Sequence, residues 1–600
     1  MSGIAGIIDF SSEPNRSRPL VHQLSAGVAH RGPADRGFTM EGPMILAHRR
    51  FQLRSDMPKG PFEKGEWLFS IDGGLSGATE QKLAEAWVDK GASGLDIFSG
   101  SFAMAAYHIP SETLYLVRSP TGARPLFWVQ DHHRIAFCSE IPPLIELPFV
   151  SRDIAMENLA EYLSFRYIHA PRTLLKSVFT VEPGHLLRIQ NNEVHREEWY
   201  RPRWRHVQDP KLPDSELLEQ FNVHLRAAVE RRLSGDNVGL LLSGGLDSSA
   251  ILMHSSILRP DIPTFTVALD EHPMDESPFA ARVAKVMGAE NTIVRIQSRA
   301  VIDTLRGNQF DMGQPMPTPA AAIQFLFFQE IRNQVSVLLS GDGGDEVLAG
   351  RTMPQLAFRM APSRRIAQLP SLAQRMIRGV SRRADRKDWA VPHDNFGQAR
   401  VIGGSRVFVA PERVALLTDP GLIRPGIRES VLTRYYQEVD SDPINDILHI
   451  WQRGWLVEDS LTRADRASSA ARIELRYPLL DTNLRHFCAQ LSGSQKIRRN
   501  RFDFVGKWPL RQALLEHLPS KLVYRPKRSL LSPMDQWLRL RGADFARDQI
   551  REVCADIPHI FLPKPLKQLL KDHLSGQANH GLKLWTVILF HLWWKRINAS

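Results

Sequence analysis

Ser243-Gly244-Gly245-Leu246-Asp247-Ser248-Ser249 follows directly on an apolar run, Val238–Leu242, and leads into an apolar stretch that starts at Ser248. The order reads as strand, glycine-rich turn, helix. Glycines let backbone N–H groups turn inward, and a helix start adds the positive end of its dipole. Ser243, Ser248 and Ser249 add hydroxyls. Such a loop is built to cradle phosphate. Asp247 inside an anion site makes sense if it holds a cation, which marks it as a Mg²⁺ ligand. The loop lacks the lysine of the GxxxxGK[ST] phosphate loop, so it belongs to a different class.

The same alternation continues on both sides. Leu217, Phe221, Leu225, Val229 and Leu233 fall four apart on one helical face, with Asp214 or Ser215 to cap it and Gly235 to end it. Further on, strands are expected at Thr264–Leu269, Thr292–Ile296 and Val335–Leu339, and helices at Pro278–Met287 and Ala320–Arg332. Strands alternating with helices at this spacing predict an α/β domain with a doubly wound parallel sheet. A second glycine-rich loop, Ser340-Gly341-Asp342-Gly343-Gly344-Asp345-Glu346, follows the last of these strands. In such a sheet it shares the carboxyl-end crevice with the first loop, and Asp345 can complete a metal site with Asp247.

The first 200 residues read differently. Short apolar runs at Gly3–Ile8, Trp67–Ile71, Phe102–His108, Leu114–Val117 and Ile135–Cys138 are separated by turn signals, which predicts stacked antiparallel sheet. The change of pattern sets the boundary near Arg201–Leu212, dividing the chain into 1–205 and 206–600. Six hundred residues, 43% apolar and 24% charged, exclude a disordered or fibrous protein. Three cysteines give neither a disulfide framework nor a metal-ligand spacing, which suits a reducing cytoplasm. No signal peptide opens the chain, and Trp585–Trp594 is half a membrane span, so no membrane partner is expected. The net charge of +11 and the eight basic against two acidic residues of Arg364–Asp388 read as a solvated helical face or as a docking surface for an acidic peptide. Nothing points to nucleic acid.

Several ordered motifs resemble the asparagine synthetase family. The first loop is similar to the PP-loop of enzymes that split ATP between the α and β phosphates, and Ser340–Glu346 to the family's Ser-Gly-Glu-Gly-Ser-Asp-Glu. Asp465-Arg466 through Glu474-Leu475-Arg476-Tyr477-Pro478-Leu479-Leu480-Asp481, Lys507…Leu510-Arg511 and Leu518-Pro519…Arg525-Pro526-Lys527 resemble its later elements. In the first half, His30-Arg31-Gly32-Pro33, His48-Arg49-Arg50 and Gly122…Pro125-Leu126 resemble its glutaminase domain. The resemblance implies an N-terminal Ntn-hydrolase-like (glutaminase type 2) αββα sandwich. It also implies a C-terminal ATP-pyrophosphatase domain with a helical end.

The glutaminase chemistry departs from the family. The nucleophilic Cys is Ser2, and the Asn-Gly-Glu that supplies the oxyanion donor reads Asp72-Gly73-Gly74. Ser119 replaces an Asp in the R-D-x-x-G turn. Free Ser can serve as an N-terminal nucleophile, so Ser2 alone does not decide the matter. A carboxylate at Asp72 does, because it repels a developing oxyanion. Ser2, Arg49, Asp72 and Gly73 therefore mark a degenerate glutaminase site. An adenylating domain without ammonia takes its amine from the substrate, as the lasso-peptide cyclases of this family do. The expectation is macrolactam formation on an Asp or Glu side chain of a precursor peptide, releasing AMP and pyrophosphate. A leader peptidase and a leader-binding protein are the implied partners. An asparagine synthetase or other amide ligase using free ammonia is the alternative, and a fold-only binding module stands against both.

The resemblance assigns roles. ATP lies on Ser243, Gly244, Gly245, Asp247, Ser248, Ser340 and Gly341, with adenine against Leu242 and Val267. Asp247 and Asp345 hold Mg²⁺. Lys527 neutralises the tetrahedral intermediate. Glu474 orients or deprotonates the amine, or else forms a structural ion pair with Arg476 or Arg466. Asp342 lines the acceptor side, and its short side chain leaves room for a bulky substrate.

Overall fold

The structure is a computed structural model. It describes the chain apart from residues 12, 52–59, 76–77, 205–210, 236, 270–274, 308–309, 316–317, 351–406, 409, 420–441, 500–503, 526–531 and 600.

Two six-stranded antiparallel sheets make up the first part. Gly3–Asp9 is buried along its whole length and lies between Arg134–Cys138 and Met44–Arg50 in the first sheet. One face of it, Ile4 and Ile8, packs on Leu68, Ala103 and Leu116 of the second sheet. The other face, Ala5 and Ile7, packs under Val21 and Leu24 of the helix Arg18–Gly27. The second sheet runs through Trp67–Leu75, Gly100–His108 and Thr113–Arg118. Its outer face is closed by Leu83, Ala84 and Trp87 of the helix Glu80–Lys90. Helix, sheet, sheet, helix is thus the layer order, and period-two strands buried on both faces produce it. The last antiparallel strand is Glu193–Glu198.

The second part begins with the helix Asp214–Glu230, which buries Leu217, Phe221, Leu225 and Val229 as the four-residue spacing requires. It ends before Leu233 and starts without a side-chain cap: Asp214 is its first helical residue and pairs with Arg498. Five parallel strands follow in the spatial order Asn291–Ile296, Thr264–Leu269, Val238–Leu241, Val337–Leu339, Glu474–Arg476. The order in the chain reverses between Val238–Leu241 and Val337–Leu339, and a ligand crevice forms at such a reversal. The remaining described segments are mostly helical. Gly581–Ala599 closes the core with Trp585, Ile588, Phe590 and Trp593, and among the described residues no helix is long and apolar enough to cross a membrane. The basic stretch 364–388 lies outside the described residues.

Candidate active site

Both glycine-rich loops leave the carboxyl ends of the two strands that flank the reversal. Gly244 adopts a left-handed φ of +64°, and a Cβ there would stand 2.6 Å from the Ala280 nitrogen, so glycine alone lets this loop lie on the helix Ser277–Val286. The serines order the loop. Ser248 Oγ accepts from the Ser243 amide (3.2 Å) and lies 3.1 Å from Ser243 Oγ. The helix Leu246–Leu258 then points its amino end into the crevice. The second loop closes on the first because Gly344 has no side chain: a Cβ there would fall 2.2 Å from Asp247 Oδ1.

Between the loops lies a cavity of about 310 Å³. Leu242, Phe265, Val267, Phe327 and Phe328 line one part, and Ser243, Asp247, Ser248, Ser340, Gly341, Asp342 and Asp345 another. An apolar slot beside a polar end formed by two glycine-rich loops and a helix start suits a nucleotide. Every described residue assigned to ATP by sequence, apart from the two loop glycines Gly244 and Gly245, borders it.

Asp247 and Asp345 meet as expected, but around an ammonium. Lys507 Nζ lies 2.5 Å from Asp247 Oδ2 and 2.6 Å from Asp345 Oδ1. Burial works against the charge on Lys507, yet the two carboxylates outweigh it and hold its pKa above the usual lysine value. Two carboxylates converging on one cation fit the hard-oxygen preference of Mg²⁺, with nucleotide oxygens to fill the remaining positions. In the sequence Lys507 stands only as one position of a family-like motif. Its left-handed backbone (φ +56°) just before the helix Trp508–Leu515 turns the side chain back to the loops. Arg525 also reaches the site: Nη2 donates to the Gly244 carbonyl at 3.0 Å, and Nη1 pairs with Glu276 at 2.9 Å. Lys527 lies outside the described residues.

Asp342 borders the cavity, and two hydroxyls donate to it. Ser340 Oγ reaches Oδ2 at 2.6 Å and Ser460 Oγ reaches Oδ1 at 2.9 Å. Ser460 comes from a π-helical turn, Leu456–Leu461, a geometry that recurs at functional sites.

Glu474, expected to orient or deprotonate the amine or else to pair with Arg476 or Arg466, is placed apart from these residues. It does not border the cavity. Its Oε2 accepts from the Met1 ammonium at 2.7 Å and its Oε1 from Arg476 Nε at 2.7 Å. Burial raises its pKa, but the ammonium and Arg476 prevail and keep it well below the carboxylate range. Each oxygen of this buried carboxylate thus faces a cation. The structural ion pair with Arg476 is what forms.

Ser2 and Asp72, expected to mark a degenerate glutaminase site, belong to a buried ionic cluster. The Ser2 amide donates to Asp72 Oδ1 at 2.7 Å, and Arg31 Nη2 lies 3.1 Å from Asp72 Oδ2. Arg31 Nη1 continues to Asp465 at 2.8 Å, and Arg124 Nη1 reaches the same carboxylate at 2.8 Å. All these side chains are buried. Gly73 pairs with Phe102 in the sheet. Arg49 does not join them: its Nε donates to the Ser25 carbonyl at 3.0 Å.

The asparagine synthase family profile matches residues 220–595, more than half of the chain, and a glutamine amidotransferase domain profile matches 76–200. The chain belongs to the asparagine synthase family. A glutamine-hydrolysing asparagine synthetase 1 of Bacillus subtilis is 26% identical, over 99% of this chain and 96% of its own length. A putative glutamine-hydrolysing asparagine synthetase of Mycobacterium bovis is 26% identical, over 84% of this chain and 77% of its own. A solved glutamine phosphoribosylpyrophosphate amidotransferase of B. subtilis aligns at 13% identity over 58% of this chain and 78% of its own, with a TM-score of 0.24 too low to carry an argument. The protein is an asparagine-synthetase-like, ATP-dependent carbon–nitrogen ligase that forms AMP.

Proposed function

We propose that the amine joined by this ligase is carried by the substrate itself, and that the product is a macrolactam: an Asp or Glu side chain of a precursor peptide joined to its N-terminal amine, as in lasso-peptide cyclases. The observation that carries this reading is the ion pair of Asp72 with Arg31, locked to the Ser2 amide. A glutaminase places a neutral donor there to meet a developing oxyanion, and this carboxylate does the opposite.

The residues divide the work. The first loop and the start of Leu246–Leu258 seat the phosphates, and the apolar wall of the cavity seats the adenine. A substrate carboxylate oxygen attacks the α-phosphorus and pyrophosphate leaves. Lys507 keeps Asp247 and Asp345 from repelling the polyanion. Mg²⁺, held by Asp247 and Asp345, would supply charge neutralisation to the phosphate oxygens. The amine then attacks the acyl-adenylate, AMP leaves, and the amine proton passes to Asp342, which Ser340 and Ser460 hold as an acceptor. Lys527 is proposed to neutralise the tetrahedral intermediate.

The relatives are named glutamine-hydrolysing asparagine synthetases, which favours a second reading, asparagine formation, from glutamine or from free ammonia. One experiment separates the two. Purified protein with Mg²⁺-ATP receives either aspartate with ammonia or glutamine, or a linear precursor core with its leader peptidase. AMP together with loss of one water from the peptide supports the macrolactam. AMP together with asparagine replaces it.

A further inference from the structure

A second cleft, of about 530 Å³, opens past the carboxyl end of the edge strand Asn291–Ile296. The helix Ser298–Arg306 forms one wall, and Trp537, Arg541 and Phe545 form the other. None of its lining residues borders the nucleotide cavity.

The chemistry of this cleft is cationic and aromatic. Arg299, Arg306 and Arg541 line it against one acid, Asp303. The Asp303 pair with Arg299 is a loose i,i+4 contact of 3.9 Å between exposed side chains, which neutralises little. Arg306 sits in the last turn of its helix, where an arginine ordinarily serves the terminal carbonyls. Arg596 has taken that task, donating to Leu305 O at 2.9 Å and Gly307 O at 2.7 Å. The Arg306 guanidinium instead lies 4.9 Å over the Phe545 ring, at the cleft. Trp537 backs the same floor, 5.9 Å from Phe545 and 6.4 Å from Trp585. A guanidinium fixed above an aromatic face, with two further arginines on the walls, forms a site for carboxylates and rings presented together.

We propose that this cleft is a docking groove for an acidic, aromatic-containing segment of a partner protein. Charge complementarity selects the occupant, since the walls carry three cations against one anion in a chain of net charge +11. Separation from the cavity makes it a partner's site rather than the place where substrate reacts. The inference does not depend on which amide the enzyme makes.

The test is fluorescence anisotropy on the full chain with a labelled dodecapeptide of Asp, Glu and Phe, acetylated and amidated at its ends. The wild-type protein binds it, with affinity falling as salt rises. Arg306→Gln combined with Arg541→Gln weakens binding at least tenfold, and Arg541→Gln alone weakens it several-fold. Arg551→Gln, on a helix face away from the cleft lining, leaves it unchanged. AMP formation in all variants matches wild type, which separates this result from any failure of the ligase reading. Equal binding by wild type and the double variant overturns the proposal. So does equal binding of a Lys-for-Asp/Glu peptide, or tighter binding of a single-stranded oligonucleotide of the same charge.

Discussion

Arg31 Nη1 lies 2.8 Å from Asp465 Oδ2, across 434 residues of sequence, with both side chains buried. The contact ties the antiparallel layers to the helix that precedes the last parallel strand. Burial opposes the charge on Arg31, but Asp465 and Asp72 outweigh it and raise its pKa. Removing the guanidinium takes a cation from three buried carboxylates, Asp72, Glu140 and Asp465, and leaves Asp465 to Arg124. Arg31→Met is expected to cost about 3–5 kcal/mol, read from urea unfolding midpoints. A loss under about 1 kcal/mol would mean that the cluster is solvated in solution.

Acid should attack the same interface. Asp465 and Glu474 are both held below the ordinary carboxylate range: burial raises them, and Arg31 with Arg124, or the Met1 ammonium with Arg476, more than reverse it. A carboxyl depressed in the folded state binds protons more readily when unfolded. The stability it contributes is therefore whole above the unfolded value near pH 4 and is lost as pH falls toward the folded value. Urea midpoints should decline steadily below about pH 4, as these carboxyls take up protons. Midpoints that stay flat down to about pH 3 would contradict this pairing.

Lys507 should matter twice. Lys507→Met leaves Asp247 and Asp345 facing each other across the crevice, so AMP formation is expected to drop about 100-fold or more. The nucleotide-free protein should also lose stability, on the order of 3 kcal/mol. Pyrophosphate release and thermal melts measure the two effects separately, and full activity in the variant would remove Lys507 from the site.

Asp342 should divide the two half-reactions. Asp342→Asn keeps the Ser340 and Ser460 contacts in reach while removing the proton acceptor. ATP–pyrophosphate exchange is expected to stay within a few-fold of wild type, with amide formation falling about 100-fold. Equal loss in both steps would assign Asp342 to nucleotide binding instead.

Ser2→Cys should not restore glutamine hydrolysis, because Asp72 still occupies the place of the oxyanion donor. Glutamate release by this variant, followed by an enzyme-coupled assay, would show that Asp72 moves aside.

Much of this was legible before any coordinates. Val238–Leu241 and Thr264–Leu269 are apolar runs with turns at both ends, so period and punctuation agree on strands. The loops at Ser243 and Ser340 announce themselves because glycine is needed where backbones approach closely. Glu474–Arg476 did not: three residues between a helix and a proline have no period to read, and an acid in a strand looks like a reacting group. Lys507 was equally silent, since its partnership with Asp247 spans 260 residues. Ser460 is one of several polar residues between Glu458 and Arg463 until the π-turn aims it at Asp342.

The parallel sheet has four of its strands by Leu339, and its fifth, Glu474–Arg476, comes from far beyond. Lys507, which balances the two loop aspartates, comes later still. A ribosome adding roughly 5–20 residues per second needs roughly ten to thirty seconds to travel the approximately 170 residues from Leu339 to Lys507. Throughout that interval the nascent chain displays both phosphate loops beside an uncapped sheet edge, with Asp247 and Asp345 uncompensated. Competence to hold a nucleotide therefore arrives late in synthesis, when the lysine emerges, and not when the loops themselves are made.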